Sequence, residues 1–294
     1  MAQDDGRVAV VTGAARGVGA AVARRLAARG VRVALLGREM ERLRRVAATL
    51  PTETYCFEVD VTDEATLLST ARGVRERLGP ASVVVANAGI ATAGAFAVTP
   101  SALFGRVIDV NLIGSTNTAR AFLPQLMETR GYYLQIASTA SFGSAPLMSA
   151  YCASKAAVEF FAQALRTEVR PTGVGVGIAY LHWTDTAMLD TLDEHPVLRA
   201  LRSHQPAIAR RVHSADQVAS WLARGIRQRA VSVYAPPWLR FLQPLRPVFP
   251  FLVARVARGA LTGLLDDELR RGATVLGAGG RADWDAPPPE PPRP

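Results

Sequence analysis

Short unbroken apolar runs alternate with longer stretches of helical period along most of this chain. Residues 7–11, 31–36, 54–59, 82–86, 132–137, 174–180 and 231–235 are rich in Val, Leu, Ile, Ala or aromatic residues, with little polar alternation. Such runs predict strands buried on both faces, as in parallel sheets covered by helices. Between them, residues 20–29, 39–49, 64–78, 102–128, 149–170 and 215–228 read as helices with one apolar face. Gly30 is placed to stop the first helix and Ser214 to cap the last. The alternation predicts an α/β fold, a doubly wound parallel sheet with its ligand at the strands' C-terminal ends.

Composition narrows the class. With 294 residues, 49% of them hydrophobic, the chain can bury one large core, so one domain with an appendage is expected. The charge of +9 comes from scattered arginines rather than a block, and no nucleic-acid motif accompanies it, so no nucleic-acid partner is expected. Cys56 and Cys152 offer neither a disulfide framework nor zinc spacing. A reducing cytoplasm and no metal are therefore the expectation. The first residues lack a basic region followed by a long apolar stretch, so no signal peptide is expected.

The candidate chemistry centres on Ser138, Tyr151 and Lys155. Tyr and Lys at i and i+4 share a helix face. A free phenol titrates near pH ~10, and a nearby ammonium lowers that value toward the range useful for proton transfer. Ser138 can hydrogen-bond the same substrate oxygen. Lys155 is the only lysine among 34 basic residues, kept where a compact charge is needed and a planar guanidinium would not serve.

A second constellation suits a dinucleotide. Gly13, Gly17 and Gly19, with Arg16 and Val18 between them, follow the first strand and open a helix. Glycines there permit a tight turn, and the helix N-terminus offers N–H groups to a pyrophosphate. The second strand ends in Gly37-Arg38 with no acid to grip a ribose 2′-hydroxyl, so Arg38 and Arg16 are candidates for a 2′-phosphate, favouring NADP(H) over NAD(H). Asp60 and Val61 end the third strand, where adenine can be read, and Asn87, Ala88 and Gly89 end the fourth. Asn111 sits within a long predicted helix, an unfavourable place for Asn, and is assigned a water-holding role.

Together these residues resemble the short-chain dehydrogenase/reductase family in order and spacing, over roughly residues 5–236. The resemblance implies a three-layer Rossmann-type fold and a catalytic tetrad. Tyr151 would be the acid/base, Ser138 would hold the substrate oxygen, Lys155 would bind the nicotinamide ribose and lower the Tyr pKa, and Asn111 would hold a relay water. It implies hydride exchange between NADP(H) and a carbonyl/alcohol pair, and a homodimer or homotetramer. Cofactor-binding protein without turnover, and dehydratase or epimerase chemistry, are the competing readings. One departure stands out: Leu181-His182 replace the family's Pro-Gly after the sixth strand, with Thr184 and Thr186 left as candidate cofactor contacts. His182 reads as a spacer or hydrogen-bonding residue ahead of a second acid/base.

Residues 187–213 mix apolar and polar positions and suit a substrate lid. An apolar site with few charges points to a hydrophobic substrate of lipid, steroid or polyketide-like kind. Beyond the family pattern lies an apolar, arginine-bearing extension at 237–275. Its stretch 238–265 is too often interrupted by charge to span a bilayer, and suits either a membrane surface, making the protein peripheral, or a subunit contact. A disordered tail is expected over 276–294.

Overall fold

The computed structural model describes residues 6–262, 267, 269–270 and 272–285. Its centre is a parallel seven-stranded sheet built from β1 (Val8–Thr12), β2 (Arg32–Gly37), β3 (Thr54–Glu58), β4 (Val83–Ala86), β6 (Tyr132–Ser138), β7 (Gly175–Leu181) and β10 (Ser232–Ala235). The order is β10-β7-β6-β4-β1-β2-β3, so the chain leaves β1 in one direction and returns to build the other half. The switch point lies between β1 and β4, where such folds bind their ligands. Both β1 and β4 are buried along their whole length, which explains why each reads as a bare valine run.

Helices cover both faces. One layer packs α1 (Gly17–Ala27) against α10 (Ala215–Arg227); the other carries α3 (Glu64–Leu78), α5 (Gly114–Glu128) and α6 (Ser149–Val169). Gly30 takes a left-handed φ of 89° just beyond α1, and the Ser214 hydroxyl accepts the Gln217 N–H at 3.2 Å at the start of α10. The helix expected over 102–128 is continuous but not uniform. It begins as α4 (Ser101–Ile108), widens into a π turn over Asp109–Ile113, and resumes as α5. Asn111 lies in the widened turn, a geometry common at functional sites.

The C-terminal part corrects one expectation. A short β5 (Ala91–Ala93) pairs antiparallel with β11 (Thr274–Leu276), and a helix, α12 (Gly277–Trp284), follows directly. Leu276 is fully buried, and Gly277 and Gly280 are buried too. The tail expected to be disordered over 276–294 is therefore folded where it is described, because it has a strand edge and a cleft wall to pack on; residues 286–294 lie outside the described residues. Between β10 and β11 the extension forms short turns and α11 (Phe249–Thr262). Arg246 fastens it to α6 through an ion pair with the buried Glu159, and donates to the Ser141 carbonyl at 2.6 Å. Residues 263–265 of the apolar stretch are outside the described residues. No described helix is long and apolar enough to cross a membrane.

Candidate functional site

The strand ends at the switch point open into one cleft of about 1190 Å³, lined by most of the residues singled out in the sequence; Gly19 and Asn111 stand behind its wall. At one end the glycine turn is held shut from behind. The Thr12 hydroxyl accepts the backbone N–H groups of Asn87 and Ala88, both at 3.0 Å. The Asn87 amide donates to the carbonyls of Thr12 at 2.9 Å and Gly13 at 3.2 Å. Gly13 has φ 62°, and a Cβ there would lie 2.9 Å from the Ala88 backbone, so this position requires glycine. Val18 and Thr186 face the same space. Thr12 is not among the residues singled out in the sequence; its role as a brace lies in the strand pairing, not in local spacing.

Arg16 pairs with Glu39, while its Nη1 is buried and meets no hydrogen-bond partner among the described residues. Burial and the neighbouring Arg42 lower its pKa, so an anion reaching this point would be welcome. The donor set fits a pyrophosphate-bearing dinucleotide: backbone N–H groups at a helix start and an unspent guanidinium N–H.

Arg38 is differently engaged than the sequence led us to expect. It pairs with Asp283 of α12, donates to the Asp283 carbonyl at 3.2 Å, and lies 3.7 Å from Asp60. Asp60 accepts from the Thr62 backbone at 2.9 Å and from Arg106 at 2.7 Å. Burial raises the Asp60 pKa, but these bonds outweigh it and hold the carboxyl below its usual range. Val61 is buried beside it, against Gly114. Arg106 and Asp283 went unnoticed in the sequence, one an arginine among many, the other in a stretch with no motif.

At the other end, β6 delivers Ser138 and α6 presents Tyr151 and Lys155 from successive turns. Lys155 is buried, donates to the Ile136 carbonyl at 3.1 Å, and sits 5.7 Å from the centre of the Tyr151 ring. Burial pulls its pKa down to about 8. Tyr151 is pushed up to about 12 by burial, against a hydrogen bond with Ser138 that pulls the other way. The lowering expected from Lys155 does not emerge; the only pull downward comes from Ser138, and burial of the phenolate outweighs it. The pair stands ready as a neutral acid beside a cation.

Asn111 is completely buried. Its amide donates to the Ile90 carbonyl at 2.9 Å and the Ser154 hydroxyl at 2.8 Å, and its oxygen accepts the Ile90 N–H at 2.8 Å. The side chain clamps the π turn to the strand end. Gly89 fits between: a Cβ there would lie 3.1 Å from that oxygen and 3.5 Å from Lys155 Nζ.

The residues in place of Pro-Gly fasten the roof. His182 Nε2 donates to the Ala209 carbonyl at 2.7 Å and Nδ1 accepts from the Thr139 hydroxyl at 3.0 Å. Burial lowers its pKa to about 4, so it stays neutral, with both nitrogens engaged as a spacer rather than an acid/base. Trp183 donates to Gln205 at 2.9 Å. Thr184 turns inward, donating to the His182 carbonyl at 2.9 Å, and Thr186 lies over Gly17. The segment 187–210, three short helices, adds Leu192, Leu198 and Leu201 to the cleft wall, and Trp238 and Phe249 come from the extension. Among the described residues there is no cluster able to hold a metal.

Comparison with known proteins agrees with this geometry. Residues 7–196 match the short chain dehydrogenase family, and the chain belongs to that family. It is 30% identical over 252 residues to the probable oxidoreductase EphD of Mycobacterium tuberculosis, covering 82% of this chain but only 40% of that protein. An uncharacterized oxidoreductase of Staphylococcus epidermidis is 31% identical over 194 residues, 66% of this chain and 84% of the relative. A Burkholderia phymatum short chain dehydrogenase/reductase solved with NAD superposes with TM-score 0.72 at 26% identity, covering 83% of this chain and 94% of that one. A Burkholderia cenocepacia short chain dehydrogenase solved with NADP gives TM-score 0.72 at 28% identity, covering 80% and 98%.

Proposed function

We propose that this oxidoreductase prefers NADP(H) and acts on a hydrophobic carbonyl/alcohol pair. The observation that carries the reading is the Ser138–Tyr151–Lys155 group, its lysine buried, at the end of a cleft whose other end offers a glycine turn and arginines. Gly13, Gly17, Val18 and Gly19 would hold the pyrophosphate, Arg38 with Arg16 a 2′-phosphate, Asp60 and Val61 the adenine side, and Asn87, Ala88, Gly89, Thr184 and Thr186 the nicotinamide side. When bound, the nicotinamide supplies or accepts the hydride. The chain supplies the proton. Ser138 hydrogen-bonds the substrate oxygen, Tyr151 donates to it in the reducing direction, and Lys155 keeps a positive charge beside the phenol and the ribose. Asn111 would hold the water through which the proton is replenished. Free Cys56 and Cys152 suit a reducing cytoplasm.

The apolar wall supports a lipid, steroid or polyketide-like substrate. Phe241, Leu245, Phe251 and Leu252 are exposed on the extension, near Arg240 and Arg255, and Leu252 also lines the cleft. This favours a peripheral membrane contact at its mouth, where each arginine near an anionic surface is worth ~1 kcal/mol. Phe160 and Ile113 are exposed on the layer that carries α5 and α6 and suit a homodimer or homotetramer contact. The test is NADPH consumption against a panel of hydrophobic ketones, with NADH alongside. Turnover with NADPH and an apolar ketone is expected; no ketone-dependent consumption of either cofactor contradicts the proposal.

A further inference from the structure

The C-terminal helix reaches back across the whole cleft to touch its phosphate-binding end. Asp283 makes a two-pronged pair with Arg106, Nε to Oδ2 at 2.8 Å and Nη2 to Oδ1 at 2.7 Å, while Arg38 pairs with the same carboxylate. That carboxylate is only 7% exposed. With Asp60 it completes a square of two guanidiniums and two carboxylates, so the positive charge of Arg38 and Arg106 is already answered from within the chain. The placement is reinforced along the segment. The strand Thr274–Leu276 pairs with Ala91–Ala93, and His195 shares a hydrogen bond with Thr274 at 2.9 Å. The Thr191 hydroxyl accepts from the Gly277 backbone at 3.3 Å and from Arg281 at 3.2 Å. Gly279 lies directly beside Arg16.

We propose that Asp283 is a specificity-determining residue for the cofactor: a tethered carboxylate seated on Arg38, the arginine taken above for a 2′-phosphate, and on Arg106 beside it. A fork of guanidinium donors binds carboxylate and phosphate by the same geometry. The two anions therefore compete for Arg38 and Arg106, and like charges cannot share them closely without repulsion. A dinucleotide lacking the 2′-phosphate leaves the pair intact and the helix docked. One carrying it must displace Asp283, loosening α12 from the cleft. Selectivity is then set by the difference between phosphate and Asp283 on the same arginines, not by Arg38 alone. This rests on the NADP(H) reading above in taking Arg38 as the phosphate ligand.

The test uses 2′,5′-ADP and 5′-AMP, which share the adenosine but carry no nicotinamide, in calorimetric titrations of the full chain and of Asp283→Asn, a change that removes charge while keeping shape. The variant is expected to bind 2′,5′-ADP about tenfold more tightly, a shift of ~1.4 kcal/mol, with 5′-AMP affinity unchanged. Amide exchange over 277–284 gives a second readout. It should quicken in Asp283→Asn without any nucleotide, and in the wild type on saturation with 2′,5′-ADP. Unchanged or weaker 2′,5′-ADP binding in the variant, including binding to neither protein, overturns the proposal, as does unchanged exchange in both cases. Failure of the oxidoreductase reading would look different: the two shifts would appear, but no ketone would be reduced. Failure of the assignment of Arg38 would appear as undiminished 2′,5′-ADP binding when Arg38→Asp is added to Asp283→Asn.

Discussion

At the Tyr151 end of the cleft, Asn111, Ser138, Tyr151 and Lys155 carry one formal charge among them, and Asn111 and Lys155 are almost wholly buried. At the Arg38 end, Arg16, Arg38 and Arg106 stand against Glu39, Asp60 and Asp283, most of them a fifth to a third exposed. The contrast follows from what each end must do. Burial without water strengthens every remaining interaction and fixes each donor on one acceptor, which suits proton transfer at a defined atom. Partial exposure keeps ion pairs weak enough to exchange partners, which suits an anion that arrives and leaves. Four changes probe this division, from the strongest to the mildest.

Tyr151→Phe removes the proton donor and keeps the ring. Turnover should fall by ~10²–10⁴, the range typical of general acid–base catalysis, with NADPH affinity unaltered, as steady-state rates and calorimetry will show. Arg38→Asp acts at the other end. We expect it to weaken NADPH binding about tenfold or more, ~1.4 kcal/mol per decade, and to leave NADH the preferred cofactor in competitive titrations.

The pH profile separates the ends without mutation. Lys155, with its pKa lowered to about 8, is cationic below that value and neutral above it, while Tyr151 keeps its proton to about 12. Ketone reduction at saturating NADPH should therefore be level below pH 8 and decline as pH rises through it, since the ammonium beside the phenol is lost. A rate that climbs through pH 8 would speak against this assignment. The mildest change is His182→Phe, which removes the bonds to Ala209 and Thr139. Loss of one or two such bonds, at about 0.5–1.5 kcal/mol each, should raise KM for an apolar ketone several-fold and leave kcat nearly unchanged.

Much of the sheet was legible because strands buried on both faces read as plain apolar runs, as Val8–Thr12 and Val83–Ala86 do. The glycine turn and the Tyr151/Lys155 spacing were legible because both are local in sequence. What escaped notice depends on distance in space. Asn111 was singled out, but the π turn that carries it is announced by no periodicity, and its partners Ile90 and Ser154 come from other elements. The raised pKa of Tyr151 reflects depth of burial, which i, i+4 spacing does not encode. The C-terminal helix has a sequence, GAGGRADW, whose glycines argue against a helix; it is held by Thr191, Arg38 and Arg106.

On this proposal a single cleft both holds the dinucleotide and turns it over, with the two tasks divided between its ends. The most direct measurement is a double-variant cycle of Tyr151→Phe, Arg38→Asp and both together, each assayed for NADPH affinity and for ketone reduction at saturating NADPH. Affinity should move only with Arg38 and turnover only with Tyr151, the double variant matching the sum within ~0.5 kcal/mol as independent sites do. Wild-type turnover in Tyr151→Phe, or unaltered NADPH affinity in Arg38→Asp, would contradict the account.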